Sequence, residues 1–308
     1  MNLTPAVLVT GADGLLGRHI VRALVDTDAC QVTAVSRSTI RQATKRLTWV
    51  RADLRQAAEV QAMAGLGADV IIHAAAVLPC ALDDSVAAEV NQVMDDHMLL
   101  LARRLGASFI YMSSLSVYEH CDVPWSESLA VHPTSSYAAS KHRSERLLQT
   151  FGLPAVTLRI SSPYSAFRID RKGVLYHFAR EAVAGRPLIV TGKGRRAQDF
   201  VHGSDIARAV TAVIRHWQAG PAEARAETLN IAAGRPVSMA ELAELVLSCC
   251  GSGYIVHEGT EAEPPYRAEL SVSRAKEILQ WQPRVELRTG LEQLIRHLRG
   301  SHEDWLVV

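Results

Sequence analysis

The sequence VLVTGADGLLG, residues 7–17, decides how the rest of this chain is interpreted. A short apolar run ends in three glycines spaced three residues apart, and apolar residues then recur at helical spacing through Leu16, Ile20 and Leu24. The pattern predicts a strand, a tight turn and a helix.

The three glycines of this turn have distinct physical uses. Gly11 permits backbone dihedrals that a Cβ would forbid, Gly14 leaves room for a phosphate, and Gly17 lets the helix lie close to the sheet. The N–H groups and positive dipole end of the helix then face the pyrophosphate of a dinucleotide. An ordinary turn is the alternative, but the flanking strand and helix favour dinucleotide binding. The predicted cofactor contacts are Gly11, Asp13, Gly14, Leu15, Leu16 and Gly17.

Length and composition indicate a soluble globular protein. The 308 residues suffice for one large domain and a smaller one. Hydrophobic residues make up 48% and charged residues 21%, which fits a globular enzyme rather than a disordered chain. The net charge of +1 gives no electrostatic reason to expect nucleic acid or an anionic membrane as a partner.

Cysteine spacing and the N-terminal residues bear on the compartment. The five cysteines form no CxxC pair and no His/Cys cluster at ligand spacing, so we expect no metal and reduced thiols in a cytoplasmic protein. The first residues lack a basic stretch before their apolar run, which predicts a strand rather than a signal peptide. The longest mostly apolar segment, residues 70–82, is too short to span a bilayer.

The end of the second predicted strand, Gln31–Val35, indicates which dinucleotide binds. An acidic side chain there would hold the ribose 2′-OH of NAD, but this chain has Ser36 and Arg37. Because a guanidinium suits a 2′-phosphate, NADP is the preferred cofactor and NAD the alternative. The competing interpretation is that Arg37 is a solvated loop residue.

Two further predicted strands end in residues that suit the same cofactor. After the strand around Leu47–Val50, the carboxylate of Asp53 could accept from the adenine amino group, could cap the helix beginning near Gln56, or could do both. The strand 69–76 runs into small residues that would let the chain pass under the cofactor, and its His73 is more typical of a structural histidine than of a catalyst. The predicted contacts here are Asp53, Leu54, Ala74, Ala75 and Ala76.

Strands and helices alternate along the first half of the chain. A long helix, Val86–Leu105, is predicted to carry its larger aliphatic residues on one side, and the strand Ser108–Met112 follows it. This rhythm predicts an α/β fold with a doubly wound parallel sheet. Ligands bind such sheets at the carboxyl ends of their strands.

The second informative motif is YAASK, residues 137–141, at the start of a predicted helix. A spacing of four places the Tyr137 phenol and the Lys141 ammonium on one helix face. A free tyrosine ionises near ~10, and a neighbouring ammonium together with a nicotinamide ring favours the phenolate. Tyr137 can therefore exchange a proton with an alcohol or carbonyl while a hydride moves. The motif is more informative because Ser114 lies at a predicted strand end 23 residues earlier.

Together these residues resemble the extended short-chain dehydrogenase/reductase family, the NAD(P)-dependent epimerase/dehydratase group. TGADGLLG is similar to its TGxxGxxG turn and SSLSVY, residues 113–118, to its SSxxVYG segment. Ser114 falls on the family's catalytic Ser/Thr, and Tyr137 and Lys141 fall on its YxxxK pair. Similar blocks follow at residues 192–207 and 230–238.

The resemblance implies a Rossmann domain and a smaller C-terminal substrate-binding α/β part. The dinucleotide-binding domain would comprise residues 1–164 and 195–232, and the substrate-binding part residues 165–194 and 233–308. The resemblance also implies a homodimer formed through the helices that follow Val86 and Tyr137.

Departures from the family pattern bear on the substrate. Glu119 stands where the family has the glycine of SSxxVYG. Ser162 replaces an amide that often holds a sugar-nucleotide diphosphate, and Gln198 replaces an arginine that pairs with it, although Arg195 lies nearby. The candidate substrate contacts are Ser114, Ser162, Arg195 and Gln198.

The sequence thus predicts an enzyme that moves a hydride at a C–OH/C=O carbon of a polar small molecule, possibly a sugar or nucleotide sugar. Ser36 and Arg37, with the substitutions at Ser162 and Gln198, favour a net dehydrogenase or reductase. An NAD-dependent nucleotide-sugar epimerase is the alternative. A non-catalytic NAD(P)-sensing protein is a further one, although such proteins usually lose the tyrosine or the lysine.

Overall fold

The computed structural model describes residues 4–27, 30–37, 43–79, 83–168, 172–220, 226–260 and 266–300. Within these ranges the α-helices are α1 (Leu15–Asp26), α2 (Ala57–Ala62), α3 (Asp84–Leu105), α4 (Ser136–Gln149), α5 (Val174–Val183), α6 (Gly203–Ala219), α7 (Met239–Cys250), α8 (Ser273–Leu279) and α9 (Leu287–Leu298). The strands are β1 (Ala6–Thr10), β2 (Gln31–Ser36), β3 (Leu47–Arg51), β4 (Val70–His73), β5 (Ser108–Ser114), β6 (Ala155–Ile160), β7 (Ser162–Tyr164), β8 (Pro187–Thr191), β9 (Ala197–His202), β10 (Ala226–Ile231), β11 (Pro236–Ser238) and β12 (Tyr254–Glu258). Short 3₁₀ turns occupy Met63–Leu66, Leu115–Tyr118 and Ala166–Arg168.

Seven parallel strands form the central sheet, in the order β10-β6-β5-β4-β1-β2-β3. Their apolar runs are buried on both faces, as expected when helices cover both sides of a parallel sheet. The core on one face includes side chains of α1, α6 and α8, and the core on the other includes side chains of α2, α3 and α4. The predicted doubly wound Rossmann-type α/β fold is therefore confirmed.

Smaller sheets surround a separate core at the C-terminal side. Strands β7, β9 and β11 form one sheet, and β8 pairs in parallel with β12. A third hydrophobic cluster joins α5, α7 and α9 with β8. Helix α8 does not belong to this cluster, because Ala275 and the following Trp281 pack into the core of the seven-stranded sheet.

The larger aliphatic residues of the long helix α3 lie on a side that is mostly exposed. Val86, Val93 and Leu100 are exposed, whereas Leu101 at the edge of this stripe is buried. The buried face is built largely from small residues, methionines and two polar side chains, Asn91 and Asp95. The apolar periodicity did not identify the buried face, because an exposed stripe of aliphatic residues produces the same periodicity as a core stripe.

Among the described residues no helix combines the length and apolar character needed to cross a membrane. Cys30, Cys121, Cys249 and Cys250 are free thiols, and Cys80 lies outside the described residues.

Candidate active site

The glycine-rich turn has the close contacts that its sequence predicts. Gly11 has a φ of +62°, and a Cβ placed on it would lie 2.8 Å from the backbone N and Cα of Ala75. A Cβ on Gly17 would collide with the Gly11 carbonyl group and would lie 2.6 Å from the Cα of Ala12. Strand β1, the end of β4 and helix α1 can approach this closely only because both residues are glycine.

Gly14 begins helix α1 without a side-chain cap. It occupies the N-cap position in an extended conformation, and its N–H donates to the Gly11 carbonyl over 2.8 Å. The first turn of α1 contains no acidic residue. The positive end of the helix dipole thus faces the turn without a side-chain counter-charge from its own first turn.

A cavity of about 220 Å³ opens where β1, β2 and β4 end. Most of the predicted cofactor contacts line it, namely Gly11, Asp13, Gly14, Ser36, Arg37, Leu54, Ala74, Ala75 and Ala76. Leu15 instead packs into the third hydrophobic cluster, and Leu16 lies against the cores on both sides of the turn. The structure therefore gathers residues from four separate predicted segments around one concave surface.

Asp53 lies outside the lining of this cavity. Its carboxylate accepts from the backbone N–H of Arg55 over 3.0 Å and from the Arg55 guanidinium, and that hydrogen bonding lowers the pKa of Asp53 to about 2. The expectation that Asp53 caps the next helix is wrong, because Gln56 is the N-cap residue of α2. A carboxylate three residues upstream of the cap instead closes a local turn.

The predicted catalytic residues lie at the end of β5 and on the helix that packs against it. Helix α4 packs against this strand and against the 3₁₀ turn that follows Ser114. The Ser114 hydroxyl oxygen accepts from the N–H and the hydroxyl of Ser116, at 3.2 and 2.9 Å. Tyr137 is half-buried in the first turn of α4, and the Lys141 ammonium donates to the Met112 carbonyl over 3.1 Å. Lys141 is thus fixed to the strand that carries Ser114.

Lys141 is a fully buried cation, with 2% of its surface exposed. Burial lowers its pKa, and the nearby carboxylates of Asp95 and Glu145 raise it in part, so that the pKa stays below the ordinary lysine value. The ammonium also lies 4.7 Å from the centroid of the Tyr111 ring. An ammonium held this way can favour a phenolate one helical turn away.

Two carboxylates fix the N-terminus of α4. Asp84 of α3 accepts from the N–H groups of Ser136 and Tyr137, at 2.7 and 3.3 Å. Glu119 accepts from the Ser135 N–H over 2.9 Å and from its hydroxyl. The glutamate that departs from the family's glycine therefore stabilises the helix end that carries Tyr137.

A buried ion pair secures the next turn of the same helix. Arg159 of β6 donates to Glu145 through Nη2 at 2.7 Å and through Nε at 3.1 Å, and the Ser113 hydroxyl donates to the same carboxylate over 2.6 Å. The guanidinium carbon of Arg159 lies 4.8 Å from the centroid of the Tyr118 ring. Helix α4 is therefore tied to both β5 and β6.

The candidate substrate contacts lie in and beside the small sheet. Ser162 of β7 pairs with Phe200 of β9, and Gln198 lies two residues earlier on β9. Arg195 is exposed just before that strand. Since Ile160, two residues before Ser162, pairs with Ser114, the small sheet begins next to the predicted catalytic strand end.

A second, more apolar cavity of about 330 Å³ lies between α1, α6 and α9. Its lining includes His19, Phe167 and His202 but none of the predicted site residues. Burial lowers the pKa of His19 and of His202. This cavity is larger than the one beside the glycine-rich turn, but none of the predicted catalytic residues lines it. Its volume is therefore no reason to assign the catalytic centre to it.

Sequence reasoning missed the polar residues beneath α4. Asp95 is 1% exposed on the buried face of α3 and bonds to His73, Tyr111 and Ser144. The available signal was the position of Asp95, which lies at helical spacing from Asn91 and Met98 on α3. His73, expected to be structural, is part of this group.

Comparison with known proteins settles the family. The sequence profile of the "NAD dependent epimerase/dehydratase family" matches residues 7–232, which include the glycine-rich turn, Ser114, Tyr137 and Lys141. This chain belongs to that family. It is an NAD(P)-dependent enzyme of the extended short-chain dehydrogenase/reductase type, which transfers a hydride at a C–OH/C=O carbon.

The relatives of this chain differ in the net reaction that their names state. The chain is 25% identical to "Uncharacterized UDP-glucose epimerase YtcB" of Bacillus subtilis (strain 168), over 96% of this chain and 99% of that protein. It is 28% identical to the "dTDP-4-dehydro-6-deoxy-D-allose reductase" of Streptomyces bikiniensis, over 95% and 96%. The structure "MoeE5 in complex with UDP-glucuronic acid and NAD" matches with 26% identity and a TM-score of 0.82, over 96% of this chain and 100% of that one.

Proposed function

We propose that Tyr137 is the acid-base group of this enzyme, that Lys141 supports its phenolate, and that Ser114 hydrogen-bonds to the reacting oxygen. The observation that supports this assignment is the contact of the Lys141 ammonium with the carbonyl of Met112, which lies two residues before Ser114 on β5. In the oxidising direction Tyr137 takes the hydroxyl proton of the substrate, and in the reducing direction it returns that proton to the carbonyl oxygen.

The residues around the glycine-rich turn fit a dinucleotide. The uncapped start of α1 and the cavity beside it would accept the pyrophosphate and adenosine parts. When bound, the nicotinamide ring supplies or accepts the hydride. The protein would bind the phosphates with Gly11, Asp13, Gly14 and the first amides of α1, and the ribose with Tyr137 and Lys141.

We propose a nucleotide sugar or a related polar small molecule as the substrate. The reductase and epimerase named among the relatives, and the UDP-glucuronic acid in the MoeE5 structure, support this class. Ser114, Ser162, Arg195 and Gln198 would contact it. Because Ser162 and Gln198 replace an amide and an arginine, a diphosphate would be held with fewer charged contacts than the family pattern provides.

We propose NADP as the preferred cofactor and net reduction or oxidation as the reaction. Arg37 supports this choice, since it lines the cavity at the end of β2, and the last residue of that strand is Ser36 rather than an acidic residue that could bind a ribose diol. The family description and the MoeE5 structure name NAD, which favours the second candidate, an epimerase that keeps its NAD bound. A reductase must exchange its cofactor at every turnover, whereas an epimerase gains by retaining it.

Replacing Arg37 should reduce discrimination between the two cofactors. A guanidinium can bind a 2′-phosphate with paired hydrogen bonds, so we expect NADPH to bind the wild type more tightly than NADH and Arg37→Ala to narrow that gap. Isothermal titration calorimetry measures both affinities. Arg215→Ala, at an exposed position of α6 that does not line the cavity, is the matched control. Tighter binding of NADH to the wild type would refute the NADP preference.

Isotope transfer decides the net reaction. We expect the purified protein to arrive largely free of dinucleotide, and deuterium from labelled NADPH to appear in the product, as measured by mass spectrometry. Retention of bound dinucleotide through purification, with no label in the product during turnover, would show that the hydride is borrowed and returned. That result would establish the epimerase instead.

We also propose that the chain divides into a dinucleotide-binding domain, 1–164 and 195–232, and a substrate-binding part, 165–194 and 233–308. The central sheet and the separate cluster of α5, α7 and α9 support this division, with α8 returning to the sheet.

A cytoplasmic homodimer through α3 and α4 is supported by free thiols and by exposed Val93 and Leu100, which is 63% accessible. The molar mass of the purified chain in solution decides the oligomeric state.

A further inference from the structure

Asp95 is a buried acid that the mechanism above does not use. Both of its oxygens are committed, because Oδ2 accepts from the hydroxyls of Tyr111 and Ser144 at 2.6 Å each, and Oδ1 lies 2.9 Å from Nε2 of His73. All four side chains are buried. The three partners come from β4, β5 and α4, so that three elements besides α3 fix the carboxylate in place.

Among the proposed catalytic residues, Lys141 is the one on which this carboxylate can act. The Tyr111 ring that donates to Asp95 is the ring whose centroid lies 4.7 Å from the Lys141 ammonium. Burial raises the pKa of Asp95, and the charge of Lys141 followed by bonding to His73 lowers it, with a net result below the ordinary aspartate value. A buried ammonium needs a counter-charge to remain protonated, and Asp95 is placed to provide it.

Other charged groups near this pair have partners of their own. Arg143 of α4 also faces Asp95, but its guanidinium binds Asp96 through two contacts of 2.8 and 3.1 Å at the surface. Glu145 acts on Lys141 from the same helix while it is engaged by Arg159. Asp95 thus differs from Glu145, since its hydrogen-bond donors among the described residues are His73, Tyr111 and Ser144 and include no arginine.

A chain of hydrogen bonds links Asp95 to the glycine-rich turn. Nδ1 of His73 lies 2.8 Å from the Thr10 hydroxyl, and that oxygen accepts from the N–H of Ala75 over 3.2 Å. Because an ionised carboxylate only accepts, Nε2 of His73 donates to Asp95. Thr10 precedes Gly11, so this series of hydrogen bonds reaches the turn that would bind the cofactor.

We propose that Asp95 is a positioning residue for Lys141: its fixed carboxylate supplies the buried counter-charge that holds the ammonium beside Tyr137, and His73 and Thr10 anchor it to the glycine-rich turn. This inference deepens the proposed function, on which it rests for the role of Tyr137. Asparagine at this position keeps the shape and can keep the hydrogen bonds, with its amide donating to His73. Asp95→Asn therefore removes the charge and little else.

The titration of Lys141 tests the proposal directly. The chain has five lysines, and the other four, Lys45, Lys172, Lys193 and Lys276, are exposed. Labelling lysine with carbon-13 at Cε therefore gives few signals, and Lys141→Arg assigns the buried one. In Asp95→Asn we expect the titration midpoint of Lys141 to fall by about one pH unit or more. The loss of turnover on the alkaline side should move to lower pH with it.

Asp96→Asn is the matched control, because it removes a neighbouring carboxylate that is 42% exposed and bound to Arg143. We expect it to leave the Lys141 midpoint unchanged. If Asp95→Asn does not fold, Asp95→Ser serves as a smaller polar replacement with the same expectation. A Lys141 midpoint that is equal in the wild type and in the folded Asp95 variant overturns the proposal. The titration needs no substrate, so it stays decisive even if Tyr137→Phe proves active and the proposed function fails.

Discussion

Tyr137→Phe should lower turnover by about a hundredfold to ten-thousandfold while cofactor affinity stays near the wild-type value. The substitution removes only the exchangeable proton, because the ring remains packed in the first turn of α4, where Asp84 still binds the backbone. Steady-state kinetics with the deuterium-labelled cofactor measures turnover, and calorimetry measures cofactor binding. Both are needed, since a loss of activity through misfolding would also weaken binding.

Tyr254→Phe is the matched control for this substitution. Tyr254 lies on β12 and is 56% exposed, so loss of its hydroxyl should not change turnover. Lys141→Ala should lower both turnover and cofactor affinity, because the family's lysine also holds the nicotinamide ribose. If Tyr137→Phe keeps most of the wild-type activity, another group moves the proton and the proposed mechanism is wrong.

Glu145→Gln should lower the free energy of unfolding by about 3–5 kcal/mol. The carboxylate and its partner Arg159 are both nearly buried, so the variant leaves an uncompensated guanidinium between β6 and α4. Burial raises the pKa of Glu145, but bonding to His142 and Arg159 lowers it to below the ordinary glutamate value. Its contribution to stability is therefore present at neutral pH and is lost as the pH falls through that lowered pKa.

Urea unfolding of the wild type and variant between neutral and acidic pH measures this effect. Asp96→Asn breaks an exposed ion pair with Arg143 and should cost less than about 1 kcal/mol. The double variant Glu145→Gln/Arg159→Met should recover part of the lost stability, since it removes the unpaired charge as well. A loss equal to that of Asp96→Asn would mean that the buried pair does not anchor α4.

The cofactor side of the site was largely predictable because its determinants are local. Three glycines at fixed spacing specify a turn whatever surrounds it, and the structure gives Gly11 the positive φ that the sequence requires. Asp53 shows the limit of such reasoning, since its carboxylate was available to a cap, an adenine or a neighbouring arginine. In the structure this carboxylate accepts a hydrogen bond from Arg55, two residues away.

By itself the sequence determined the strand–turn–helix at residues 7–17, the alternation of strands and helices, and the shared helix face of Tyr137 and Lys141, because each depends on spacing within one segment. Only the tertiary structure decided that α3 buries its aspartate and exposes Val93 and Leu100. It also decided that Lys141 is buried, with its ammonium over the Tyr111 ring that bonds to Asp95. Burial and electrostatic pairing depend on which elements pack together, and contacts between residues dozens of positions apart leave no periodic trace in the sequence.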